Sequence, residues 1–149
     1  MNWLMQLLLS YLGTIAFGVL TNIPRKALHA CGITGMISWL IFLFLREHSF
    51  GIGSANFFAA FFIGLASVYF SRRKKMPMII FIVPSIVPLV PGAPAYQAVR
   101  EFVLGNSGVG VQNMLTVILT AGAIAAAFMM TSLVEQLVLK WHYVKKNRS

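Results

Sequence analysis

The sequence predicts an all-α integral membrane protein, one membrane domain over residues 1–149 with five transmembrane helices, the fourth short and broken by prolines. Three observations predict it. Hydrophobic residues make up 58% of the chain and charged residues only 10%, a balance unlike that of soluble domains. The charges gather in short clusters between long uncharged runs, and five of those runs approach the ~20 apolar residues that a membrane helix needs. Four of the six prolines fall inside one such run, "MIIFIVPSIVPLVPGAPAY", residues 78–96.

The first helix is expected over about 3–20. Its opening, "MNWLMQLLLS", lacks the positive n-region of a secretory signal and reads as a retained helix. The second, about 27–45, follows Arg25 and Lys26 and holds Cys31. A single cysteine excludes an internal disulfide or a cysteine-based metal cluster within one chain, so packing is its expected role. The third, about 54–70, is near the lower length limit and dense in phenylalanine. The fourth covers about 76–90. An amphipathic helix over about 94–104 follows, with Tyr96, Val99, Phe102 and Val103 on one side and Gln97, Arg100 and Glu101 on the other. "GNSGVG" reads as a flexible outer turn, and the last helix runs over about 113–139.

Small residues recur every three or four positions in the full helices. Thr14 and Gly18 form one stripe; Ala27, Cys31 and Gly35 a second; Asn56, Ala60, Gly64, Ser67 and Ser71 a third; Thr116, Thr120, Ala123, Ala127 and Thr131 a fourth. Such stripes let backbones approach closely, which is how helices associate where lipid removes the hydrophobic drive. Asn56, Thr116 and Thr120 carry a second reading, as polar lining of a pathway. Trp3, Tyr11, Tyr69, Trp141 and Tyr143 are expected to anchor the chain at the membrane interfaces.

Basic residues in short loops accumulate on the cytoplasmic side. With five crossings, Arg25, Lys26, Arg72, Arg73, Lys74, Lys75, Lys140, Lys145, Lys146 and Arg148 share one side, against Arg46 and Arg100 on the other. A re-entrant fourth segment would put the "KWHYVKKNRS" tail opposite "SRRKK" and erase the bias. The N-terminus is therefore expected outside and the C-terminus in the cytoplasm. The net charge of +9 reflects topology and anionic lipid rather than nucleic acid.

The ionisable inventory excludes most chemistry. There is no Asp, and Glu47, Glu101 and Glu135 sit near predicted helix ends, so no acid lies at the midplane where proton- or sodium-coupled transporters usually keep one. His29, His48 and His142 have no metal-ligand spacing. No HExxH, serine-nucleophile or Walker pattern occurs. An enzyme, a resident metal and a cofactor are all unexpected.

Each proline inside a helix removes an N–H and clashes with the carbonyl four residues back. Pro84, Pro88, Pro91 and Pro94 thus leave the carbonyls of Ile80, Pro84, Val87 and Val90 without their usual donors. Such carbonyls must be buried in protein or line a hydrated cavity. Gly92 offers a backbone that turns sharply, and Pro94 suits the first turn of a new helix. Half-helix ends of this kind bind substrate in many transporters, their N-termini meeting carboxylates and their exposed carbonyls meeting ammonium groups. A plain kinked helix packed on its neighbours is the other reading.

"PSIVPLVPGAPAYQAVREFV" resembles the proline-rich segment of the threonine/serine exporter family. "IPRKALHACGITGMISW" resembles the same family's basic helix start and glycine-rich turn of helix. The match covers nearly the whole chain and is closest to the small split subunit, the C-terminal membrane portion of the fused exporters. The resemblance implies an inner-membrane export system completed by a larger homologous membrane subunit, with threonine and serine, or a dicarboxylate such as succinate, as substrate. It carries over Pro84, Pro88, Pro91, Gly92 and Tyr96 in the broken segment, with Arg25 and Gly32 around helix two.

The expectation is a substrate gate over Pro84–Pro94 at the partner interface. Carbonyls near Val87 and Val90 would meet an ammonium, the helix start near Ala95 a carboxylate, and Tyr96 would cap the site. Arg25 is weighed more toward topology than binding. A non-transporting structural subunit and a homo-oligomeric channel are the alternatives, separated from the exporter by partner dependence and substrate competition.

Overall fold

Residues 2–146 are described by the structure, a computed structural model. They form α1 (Trp3–Leu20), α2 (Arg25–Glu47), α3 (Ile52–Lys74), α4 (Ile79–Ser85), a 3-10 turn (Val87–Leu89), α5 (Gly92–Val103) and α6 (Ser107–Lys146), with no strand among the described residues. α1, α2, α3 and the Ser107–Leu137 part of α6 are each long and apolar enough to cross a membrane, and Ile79–Ser85 with Val87–Val103, bent by 41°, form a broken span or a re-entrant loop.

The fourth span is short and broken, yet its division differs from the expected one. α4 and the 3-10 turn cover residues 79–89, about 17 Å at ~1.5 Å per residue, roughly half of a ~30 Å hydrocarbon core. If the bent pair is one crossing and not a re-entrant loop, α5 is its second half and the amphipathic helix continues the span.

Two other boundaries move. α2 and α3 run past the apolar stretches and take Arg25, Arg46, Arg72, Arg73 and Lys74 into their first and last turns. Hydropathy locates the lipid, whereas the backbone ladder continues until a cap ends it, here the left-handed Lys75 at φ 53°. The expected loop "GNSGVG" is corrected: only Gly105 and Asn106 turn, and helix begins at Ser107. Gly105, at φ +83°, takes the left-handed turn, the Asn106 carbonyl accepts the Gly110 N–H at 3.0 Å, and Phe102 packs where a Gly110 side chain would stand. That close α5–α6 contact outweighs the poor helix propensity of glycine.

The small-residue stripes are the seams. Thr14 sits against Gly35 so tightly that any side chain at position 35 would strike its hydroxyl, and Thr131 sits against Gly64 in the same way. Gly53 approaches Leu119 and Gly64 approaches Thr131, so α3 and α6 run parallel. Their basic C-terminal ends therefore lie at one end of the bundle, where Lys74 Nζ donates to the Lys26 carbonyl at the start of α2.

Two apolar clusters anchor the broken span. Phe81 on α4 packs with Ala27, Ala30 and Cys31. Leu89 in the 3-10 turn packs with Ala59, Ala60, Ile63, Ile124 and Ala127.

Of the expected anchors, Trp3 and Tyr69 are exposed, but Tyr11 is half-buried on the α1–α2 seam with its hydroxyl 3.0 Å from His29 Nδ1. Trp141, His142, Tyr143, Lys145, Lys146 and Arg148 lie outside the described side chains.

Candidate functional site

The backbone of the break is more fully satisfied than proline content suggests. Pro84 lies inside α4. The Ile80 carbonyl it deprives of a donor accepts the Cys31 thiol at 3.5 Å, and Ser85 Oγ returns a bond to the Cys31 carbonyl at 3.1 Å. α4 is thereby tied across to α2. The Pro84 carbonyl accepts a backbone N–H at the α4 C-cap, and the Leu89 N–H reaches the Ile86 carbonyl at 2.8 Å.

Pro91 makes the sharp turn. Its φ of −78° and ψ of 52°, with the Gly92 N–H on the Val90 carbonyl at 2.8 Å, describe an inverse γ-turn centred on the proline. Gly92 itself has no positive φ, and the space around its Cα is open. The role expected of Gly92 as the turning residue belongs to Pro91.

Beside this turn lies a cleft of about 290 Å³ lined by Trp39, Phe42, Ile52, Asn56, Pro88, Leu89, Val90, Pro91, Ala93, Pro94 and Thr120. It gathers Pro88, Pro91, Pro94, Asn56 and Thr120 from four separate elements. No lining residue carries a charge. Asn56 donates its amide to the Ile52 carbonyl at 2.8 Å, and Thr120 Oγ1 is buried without a hydrogen-bond partner among the described residues.

The other expected residues stand apart from this cleft. Pro84 is buried beside Gly18. Tyr96 is 70% exposed and does not cap the opening. The Ala95 N–H is engaged by the Pro91 carbonyl at 3.1 Å, while Ala93 and Pro94, of which Pro94 has no N–H, are the α5 first-turn residues that border the cleft. Arg25 is exposed at the α2 N-terminus. Gly32 receives the Tyr11 ring, which stands 2.6 Å from where a Cβ would be. Thr116 bonds back to the Gln112 carbonyl at 3.1 Å.

Sequence reasoning misses Trp39. Its signal is an indole N–H inside an apolar helix, which requires an acceptor; Gln6 Oε1 supplies one at 3.3 Å. Trp39 stacks on Phe42 with ring centroids 5.1 Å apart. It also borders a second cleft of about 250 Å³, lined by Gln6, Leu9, Ser10, Trp39 and Pro88. Trp39 and Pro88 thus form the wall between two spaces. A larger groove of about 560 Å³ among Leu40, Ile41, Phe44, Leu45, Phe50 and Phe58 offers a polar ligand nothing to bond.

No solved structure matches this chain. The family model described as Threonine/Serine exporter, ThrE matches residues 6–134, a stretch that contains most of α1, all of α2 to α5, the cleft and most of α6. The cleft beside a broken span and this match over most of the length meet in one conclusion: the chain belongs to the threonine/serine exporter family and is a membrane exporter protein.

Proposed function

We propose that the chain is one membrane subunit of a two-component secondary exporter for threonine, serine or a related small carboxylate such as succinate, completed by a larger homologous membrane subunit. It acts without enzymatic chemistry, in the inner or plasma membrane, with its N-terminus outside and its C-terminus in the cytoplasm. The observation that carries the reading is the cleft at the proline break. Its polar groups sit where a span is interrupted, the arrangement in which transporters bind substrate.

The cleft volume falls just below the ~300–1,000 Å³ typical of small-molecule sites, which suits a small solute. Pro88 and Pro91 hold the two half-helices at a fixed angle, and the α5 N-terminus favours a carboxylate. With no acid in the cleft, the coupling group resides on the partner.

The test is efflux of threonine, serine and succinate from preloaded cells expressing this chain alone and with the larger subunit. Efflux only with both supports the two-component exporter. Efflux from the chain alone favours a homo-oligomeric pore, and none in either case leaves a structural subunit.

A further inference from the structure

The groove of about 560 Å³ on the α2–α3 hairpin stands apart from the proline break. Leu40, Ile41, Phe44 and Leu45 line it from α2, Phe58 from α3, and Phe50 from the link between them. Leu40, Ile41 and Leu45 are half-buried, and the three phenylalanines are exposed. Every lining side chain is hydrocarbon, so the wall selects an apolar occupant. Within a membrane that occupant is a lipid chain or another protein helix.

The mouth of the groove separates the two. It lies where α2 ends, and two residues there hold the lining phenylalanines in place. Arg46 Nη1 donates to the Phe50 carbonyl at 3.2 Å. His48 Nδ1 stands 2.9 Å from the Phe44 carbonyl, and the His48 and Phe44 rings lie with centroids 4.2 Å apart. Arg46 is exposed and makes no ion pair among the described residues, even with its neighbour Glu47. The bond to Phe50 uses one of its five guanidinium N–H donors. Arg100, by contrast, is tied to Glu101 at 3.3 Å.

A hydrocarbon slot with a free guanidinium at its mouth complements a molecule that joins a long apolar chain to an anion. A phospholipid has that form, and the planar fork of arginine matches phosphate oxygens. A protein helix would fill the slot equally well but would have to bring an acid of its own to Arg46. The groove of about 520 Å³ on α6, lined by Ala125, Phe128, Met129, Ser132 and Leu133, lacks the pairing. One helix alone builds it, and among the described residues no basic side chain bonds its lining. It marks the level of ordinary lipid contact.

We propose that the α2–α3 groove holds one acyl chain of a phospholipid, with Arg46 on the phosphate. The bond to the Phe50 carbonyl keeps the guanidinium at the mouth, and the chain packs along Leu40, Ile41 and Leu45. This lipid site is separate from the cleft and does not depend on what the chain exports.

The test is photolabelling of the full-length chain in phosphatidylcholine nanodiscs. Phosphatidylglycerol with a diazirine in one acyl chain is added as a trace, and adducts are mapped by peptide mass spectrometry. Diacylglycerol with the same chain and no phosphate is the control. The ratio of labelling at residues 40–58 to that at 125–133 is expected to be several-fold higher for phosphatidylglycerol. Arg46→Gln should lower that ratio about fivefold, the loss of one basic residue near the membrane surface. Arg46→Lys, which keeps the charge and loses the fork, should fall between Arg46→Gln and the parent. Leu45→Trp fills the slot and should lower phosphatidylglycerol labelling at 40–58. Circular dichroism checks its fold, and the exposed Arg46 variants carry the test if it does not fold.

Equal ratios for the two lipids, an unchanged ratio in Arg46→Gln, or equal losses in Arg46→Gln and Arg46→Lys would each overturn the assignment. Loss of labelling at 40–58 when the candidate larger subunit is reconstituted alongside would overturn it in favour of a protein helix; retained labelling supports the lipid.

Discussion

The Cys31 thiol donates to the Ile80 carbonyl at 3.5 Å, the acceptor that Pro84 strips of its helical partner. A proline in one helix is thus compensated by a cysteine in another. Lipid supplies no donor, so such a carbonyl must find one within the protein.

Replacing Cys31 by Ala is therefore expected to destabilise the chain by about 1–2 kcal/mol, through one unmatched acceptor and a small void. Cys31→Ser, which keeps a donor, should lose less. Thermal unfolding in detergent measures both, and equal loss in the two variants would count against the bond.

The Thr14–Gly35 seam predicts a compensating pair. Gly35→Ala drives a methyl into the Thr14 hydroxyl and is expected to cost about 1–3 kcal/mol, the usual range for overpacking. Thr14→Ala in the same chain clears the hydroxyl and should restore a large part. A double-mutant cycle reads the coupling; simple additivity would mean that the helices part elsewhere.

The division of labour at the break separates Pro91 from its neighbour. Gly92→Ala meets open space at an ordinary φ and should leave export within about twofold, with any helix-propensity gain being small. Pro91→Leu removes the residue that sets the γ-turn and should abolish export while insertion continues, as should the double change of Pro91 and Gly92 to leucine. Efflux and membrane content measured on the same cells distinguish loss of function from loss of protein. Retained export in Pro91→Leu would sink the gate.

Orientation is checked by single cysteines in a Cys31→Ser background. A cysteine at Gly105 should react with a membrane-impermeant maleimide on intact cells, and one at Lys75 only after permeabilisation. The reverse pattern would invert the proposed topology, and labelling of both only after permeabilisation would favour a re-entrant fourth segment.

What the sequence determined by itself is the membrane class, the helix order, the small-residue seams and the position of the break. These follow from local properties: run length against bilayer thickness, spacing against helical pitch, and the missing N–H of proline. Even the orphaned Ile80 carbonyl is legible there. Only the tertiary structure decided which group answers it, which prolines border a cleft, that Gly92 is dispensable to the turn while Pro91 makes it, and that the Thr120 hydroxyl is buried without a partner among the described residues. Those outcomes depend on which helices pack side by side. A stripe of small residues announces that a neighbour comes close, but not which neighbour, because alanine and glycine accept almost any surface.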